Sequence, residues 1–236
     1  MKILLDHTPK CGGSFLRTSL ESYFHEEKIA LYYKQKDDGR DVFEGNVESF
    51  DFICGHYTYN HPNGTLINFD KVKDWIKIKN FRHPIDWVRS KYFFGLEILL
   101  YDINFFQKYQ TQESFKEVFE SHIYGPKLFV QNIYSTSGSI YNHFPDMRML
   151  NDTEFLKNNF NYLIDSSNIT SFSEYLIKNY NLTKVRDIRV HYNDTRRSKK
   201  LYEYFHEQIF DITNLFEADI EIYNKLKEIA WKDGGS

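Results

Sequence analysis

A glycine turn wedged between a short apolar run and a helical pattern constrains this chain more than any other feature. Lys2-Ile3-Leu4-Leu5 reads as a buried strand, His7-Thr8-Pro9-Lys10-Cys11-Gly12-Gly13-Ser14 follows it, and Phe15-Leu16 open an amphipathic stretch. The first N–H groups of such a helix have no intrahelical acceptor and carry the positive end of its dipole, so an anion binds there favourably. Gly12 and Gly13 permit close backbone approach to a ligand, Ser14 suits the helix cap and adds a hydroxyl donor, and Lys10 supplies a mobile charge. The alternative is a bend whose glycines serve only the turn. A nucleotide kinase loop requires G-x-x-x-x-G-K-[ST]; here the lysine precedes the glycines, and no other segment supplies that pattern. The expected ligand is therefore phosphorylated but is not ATP.

A second segment offers a partner for that loop. Asp74 to Phe81 alternates like a strand and runs into Arg82-His83-Pro84-Ile85-Asp86-Trp87-Val88-Arg89-Ser90. Pro84 suits the first position of a helix, which puts Arg82 at the strand's end and Ser90 about two turns into the helix. An arginine fork and a hydroxyl can close on one further phosphate. The alternative is an arginine paired with a surface carboxylate and a serine tolerated in a helix.

The periodicity predicts strands at 1–6, 29–34, 51–54, 76–81 and 161–165. It predicts helices at 13–26, 84–101, 112–121, 126–135, 153–159, 172–180, 198–209 and 213–231, with a helical turn at 70–74. Strands alternating with helices imply a parallel sheet covered on both faces, with ligands bound beyond the strands' carboxyl ends. The fold class expected is α/β: a P-loop-like three-layer fold with a central, mainly parallel sheet flanked by helices, forming one domain over 1–236. Lys10, His56 and Arg82 each follow a predicted strand. A hydrophobic content of 41% in 236 residues is enough for a sizeable core, and the 18 Tyr and 21 Phe are expected mainly within it. A net charge of −3 supplies no excess of basic groups for a nucleic-acid surface. The two cysteines, Cys11 and Cys54, make neither a disulfide framework nor a metal cluster, so reduced thiols are expected. The start is too short for a signal peptide and no run of 18 or more apolar residues exists; a cytoplasmic protein without an integral membrane segment is the expectation.

Taken together, the two segments resemble a known family. His7 to Ser14 is similar to the H-x-P-K-T-G-G-T loop of carbohydrate sulfotransferases that depend on 3′-phosphoadenosine 5′-phosphosulfate (PAPS), the group that includes heparan sulfate 2-O-sulfotransferase and bacterial sulfotransferase family 2. Arg82-His83-Pro84 through Ser90 resembles that group's R-[DH]-P-x-x-R-x-x-S motif. Weaker resemblance runs through Ile53-Cys54-Gly55-His56, Gln131 to Tyr134, Phe172-Ser173-Glu174 and Asp219 to Tyr223, and so spans nearly the whole chain. Cys11 and Ser14 stand where the group usually has threonine; the serine keeps the hydroxyl, whereas the cysteine is a weak donor and leaves position 11 its backbone N–H.

The resemblance implies sulfuryl transfer from PAPS to a hydroxyl, with adenosine 3′,5′-bisphosphate as product and no metal required. Pro9, Lys10, Cys11, Gly12, Gly13 and Ser14 would hold the 5′-phosphosulfate, with Lys10 at the bridging oxygen, and Arg82 and Ser90 would hold the 3′-phosphate. His56 is the candidate base, because imidazole titrates near neutrality; the alternative is a histidine satisfied by a loop carbonyl, His61 is its rival as base, and a glutamate stays open. Arg196 and Arg197, in the basic run 195–200, would fold over the donor's phosphates or meet an anionic acceptor, or else simply begin a solvated helix. The acceptor implied is a carbohydrate or another hydroxyl-bearing molecule. A non-catalytic nucleotide- or glycan-binding module, or a P-loop-type kinase, are the alternatives.

Overall fold

A computed structural model describes residues 1–31, 46–57, 67–99, 125–190 and 199–232. The helix expected at 112–121 lies outside these residues. By internal packing the chain divides into two compact units, one comprising 1–82, 144–193 and 224–236 and the other 83–143 and 194–223.

Among the described residues, the first unit is built on a five-stranded sheet in which every pairing is parallel: β1 (Ile3–Asp6), β2 (Ile29–Leu31), β3 (Phe52–Gly55), β4 (Ile76–Phe81) and β5 (Tyr162–Asp165), in the order β2-β3-β1-β4-β5. This is the α/β class expected. The register sets Ile3 beside both Phe52 and Ile76, and Asp6 beside both Gly55 and Lys79. The chain leaves β1 toward β2 and β3 on one side and returns to β4 and β5 on the other, so the order reverses around β1. Parallel sheets bind ligands where such a reversal opens the carboxyl edge.

The two-residue period of the strands divides the core. Ile3, Leu5, Phe52, Cys54, Ile78 and Ile164 meet Phe15, Leu16 and Leu20 of α1 (Gly13–Glu21), and Ile169, Phe172 and Leu176 of a later helix. On the opposite face, Leu4 and Ile53 pack with Val47, Phe50, Tyr57, Val72 and Trp75. The alternation Ile76-Lys77-Ile78-Lys79 would ordinarily mark a wet face, yet both lysines are buried. Lys77 Nζ donates to the carbonyls of Val72, Lys73 and Trp75, and Lys79 pairs with Asp6.

The described residues of the second unit are helical for the most part. It contains α2 (Pro84–Leu99), α3 (Pro126–Ser137), the short α4 (Ile140–His143), α7 (Lys199–Ile209) and the first part of α8 (Glu217–Ile229). The first unit supplies α5 (Thr153–Asn159) and α6 (Ile169–Asn179). Tyr92 and Phe93 of α2 pack on Phe205 of α7, and Tyr92 also meets Phe129 of α3. Asp219 is buried beneath α4, where it accepts from Ser139 Oγ (2.5 Å), from Ile140 N–H (3.1 Å) and from the Tyr134 hydroxyl. Desolvation is the main reason its pKa is raised.

Among the described residues, no helix is long and apolar enough to cross a membrane.

Candidate active site

β1 ends at Asp6, and the loop that follows is held mainly by its own neighbours. Asn80 of β4 staples it twice: its Oδ1 accepts from Thr8 N–H (2.7 Å) and its Nδ2 donates to the Cys11 carbonyl (2.8 Å), both bonds being buried. Cys11 N–H donates to Thr8 O (3.2 Å), which closes the loop on itself. Lys10 takes a left-handed backbone conformation (φ 63°), a state that costs a non-glycine residue about 1 kcal/mol. Its carbonyl accepts from Arg82 Nη1 at 3.0 Å, so the residue after β4 grips the most strained point of the loop.

Gly12, with φ 78°, precedes α1 as its cap residue, and no side chain caps the helix. Ser14 is the second residue of α1 rather than its cap, which corrects the sequence expectation. Phe15 and Leu16 N–H donate to the Gly12 carbonyl. The N–H groups of Gly13 and Ser14 belong to the first turn, where no intrahelical acceptor exists. Gly13 is required for a reason the sequence did not show: a Cβ built there would fall within 3.0 Å of Cβ, Cγ and Nδ1 of His7. The space that a side chain would take at Gly13 is filled by the imidazole of His7.

Cys11 also differs from expectation. Its thiol is fully buried, and burial pushes its pKa up to about 12. With its sulfur buried and its N–H donating to the Thr8 carbonyl, position 11 shapes the loop. The Thr8 hydroxyl is fully buried beside it, with no hydrogen-bond partner among the described residues.

The third component follows β3. His56 is half-buried, its ring 4.0 Å from that of His7 in an edge-on arrangement, and its Nδ1 lies 2.5 Å from the His7 carbonyl oxygen. A carbonyl only accepts, so Nδ1 carries the proton and the lone pair of the neutral ring is on Nε2. His7 itself is buried, and its pKa lies well below 6.5, first through desolvation and then through the charges of His56, Lys79 and Arg17. Of the two imidazoles, His7 stays neutral and packs, whereas His56 stands nearer solvent with its basic nitrogen defined.

The ends of three adjacent strands, β3, β1 and β4, thus bring His56, the loop Pro9-Lys10-Cys11-Gly12-Gly13-Ser14 and Arg82 to one edge of the sheet. Ser90 lies on α2 in the second unit; Arg196, Arg197 and His61 lie outside the described residues. The inner arginine position of the R-[DH]-P-x-x-R-x-x-S pattern is occupied by the buried Trp87. Arg89, two residues on, pairs with Asp86 (2.8 Å), donates to His206 Nε2 (2.9 Å) and covers the Tyr202 ring. Sequence reasoning missed Asp6, Lys79 and Asn80. Only the polar residues inside otherwise apolar strands hinted at them. Among the described residues, no group of three or more His, Cys, Asp or Glu is placed to hold a metal ion.

No protein-family model matches the chain. A comparison with curated proteins finds no match. Among solved structures, the chain is similar to mouse sulfotransferase SULT7A1 complexed with PAP, at 16% identity over 97% of this chain and 89% of that one, with a TM-score of 0.33. A likeness of that degree carries no argument about the site.

Proposed function

We propose that this protein is a sulfotransferase that moves a sulfuryl group from PAPS to a hydroxyl, most simply that of a carbohydrate, as a single cytoplasmic catalytic domain. One observation carries the reading: the Lys10 loop and Arg82, the two segments that resemble the donor-binding motifs, meet through the Lys10 carbonyl, with His56 at the end of the neighbouring strand. When bound, PAPS supplies an activated sulfuryl group whose bond to the 5′-phosphate is the one broken. Gly13 and Ser14 N–H, at the positive end of α1, receive the 5′-phosphate. Lys10 neutralises charge on the bridging oxygen as that bond breaks. Arg82 has five N–H donors, one of which holds the loop, and pairs with the 3′-phosphate. His56 Nε2 takes the acceptor's proton as the hydroxyl oxygen bonds to sulfur, so the acceptor leaves as a sulfate ester and the bisphosphate departs with the bridging oxygen. Ser90, Arg196 and Arg197 enter this reading from the sequence alone.

Calorimetric titration with adenosine 3′,5′-bisphosphate, AMP and ATP tests it. The bisphosphate is expected to bind at least about tenfold more tightly than AMP, as one additional charged hydrogen-bonded phosphate implies, and Arg82→Ala is expected to remove that difference. Equal affinities in the wild type refute the donor assignment.

A further inference from the structure

Two acceptors on consecutive residues at the end of β1 address consecutive residues after β3. The His7 carbonyl takes the His56 ring proton (2.5 Å), and Asp6 Oδ1 takes the N–H of Tyr57 (3.2 Å). The other oxygen of that carboxylate, Oδ2, is held by Lys79 Nζ of β4 at 2.9 Å. The register explains the geometry: Asp6 sits between Gly55 on one neighbouring strand and Lys79 on the other. Asp6 and Lys79 are both fully buried.

A buried ion pair is weak evidence of stabilisation, because desolvating two charges offsets most of their attraction and an apolar pair of like volume often does as well. The position of this pair gives it another use. An apolar pair would fill the space but leave the Tyr57 N–H, itself buried behind the candidate base, without its acceptor. Imidazole in water favours the proton on Nε2, so the arrangement at His56 holds the less favoured tautomer and needs a fixed backbone to do so.

We propose that Asp6 is a positioning residue for His56: clamped by Lys79, it pins the chain at Tyr57 so that the ring meets the His7 carbonyl and keeps its lone pair on Nε2. This rests on the assignment of His56 as base made above. Asp6 touches no reacting atom; it acts through the backbone of residue 57.

The test uses full-length protein labelled with ¹⁵N at histidine, without donor or acceptor, and reads the His56 tautomer from long-range ¹H–¹⁵N correlations. Two paired variants are compared, Asp6→Asn with Lys79→Met, and Asp6→Leu with Lys79→Met. Each removes both charges, so neither leaves a buried ion, and only the first keeps an acceptor for Tyr57 N–H. The wild type and the asparagine pair are expected to show His56 as the Nδ1–H form, and the leucine pair to lose about half of that population or more. In turnover assays, the leucine pair is expected to lower kcat roughly 10- to 100-fold with an unchanged KM for the donor, and the asparagine pair to rescue most of that loss. The proposal is overturned if the leucine pair keeps the wild-type tautomer, if the asparagine pair loses it equally, or if the wild type carries its proton on Nε2. The tautomer measurement needs no turnover. Expected tautomers in a protein without sulfuryl transfer would refute the function while leaving the positioning role intact.

Discussion

Replacing Gly13 by alanine separates two accounts of the glycine turn. If the glycine serves ligand approach alone, alanine weakens binding and leaves the unliganded protein as stable as before. The structure requires otherwise, because the new methyl would press on the His7 ring from Cβ to Nδ1. That ring has no room to retreat: His7 is 4% exposed, and the His56 ring lies 4.0 Å away. Overpacking of this kind costs about 1–3 kcal/mol, whereas alanine's helix preference over glycine returns at most about 1 kcal/mol. The net expectation is a loss of about 1–2 kcal/mol, or roughly 5- to 30-fold faster exchange at the α1 amides that open with the first unit. Hydrogen exchange at α1 is the suitable assay, since it reads that unit by itself. The clash also sets a graded rescue. His7→Ala removes the ring but keeps the offending Cβ and restores Gly13→Ala only in part; His7→Gly removes all three contacted atoms and restores more. The double-mutant cycle should show coupling of about 1 kcal/mol. Additive effects, or α1 protection unchanged in Gly13→Ala, would refute the packing account.

Two further predictions follow from the same loop. Asn80→Ala leaves Thr8 N–H and the Cys11 carbonyl buried without their partner, so a loss of about 2–4 kcal/mol in urea unfolding is expected; a loss below about 0.5 kcal/mol would show that the staple is dispensable. Because the folded His7 pKa is depressed, below pH 6.5 the unfolded chain binds a proton that the folded one refuses. Stability is then complete above that value and falls with pH by up to about 1.4 kcal/mol per unit until the folded pKa is reached. Unfolding free energies from urea titrations at about pH 7.5 and about pH 5.5 should differ by roughly 1 kcal/mol more in the wild type than in His7→Asn, and equal differences would refute it.

What the sequence could show depended on how local each cause was. β4 at 76–81 and α5 at 153–159 were legible to the residue because alternation, apolar periodicity and Pro84 are local signals; in the structure Asp152 Oδ1 caps α5 by accepting from Phe155 N–H. α1 was expected to reach residue 26 and ends at Glu21, where the Ser22 carbonyl accepts instead from the N–H groups of Val185 and Arg186. Nothing near Ser22 announces a segment more than 160 residues away. α6 begins at Ile169, three residues before the expected start, because Asp165 at the end of β5 accepts from Ser167 N–H and begins the turn early. That carboxylate was in plain view. The last helix, expected from 213, begins at Glu217; Phe210–Phe216 is a tighter helix with non-helical torsions at Ile212, a break that apolar periodicity does not register. In the candidate site, the Lys10 loop, His56 and Arg82 could be picked out in the sequence as segments that follow strands, whereas the Asp6–Lys79 pair and the Asn80 staple arise from strand register and could not.

Those hidden contacts change how the arginine variant must be interpreted. A string such as Lys10-Cys11-Gly12-Gly13 reads as a row of ligand contacts, yet in the structure Cys11 faces the core, Gly12 supplies a left-handed turn and Gly13 yields its side-chain space to His7. Arg82 is part of the same framework, because its Nη1 donates to the carbonyl of the strained Lys10. Under the proposed donor assignment, Arg82→Ala therefore removes a phosphate partner as well as loosening the turn that presents Lys10. Loosening the turn lowers affinity for every ligand of the loop, AMP included, by the 1–3 kcal/mol that an unmet buried hydrogen bond commonly costs. Loss of the 3′-phosphate partner lowers affinity for the bisphosphate alone. The bisphosphate-to-AMP ratio, not either affinity, isolates the second effect. A variant that weakens both ligands equally would mean that Arg82 builds the loop and reads no phosphate, and the donor assignment would then lack its second anchor.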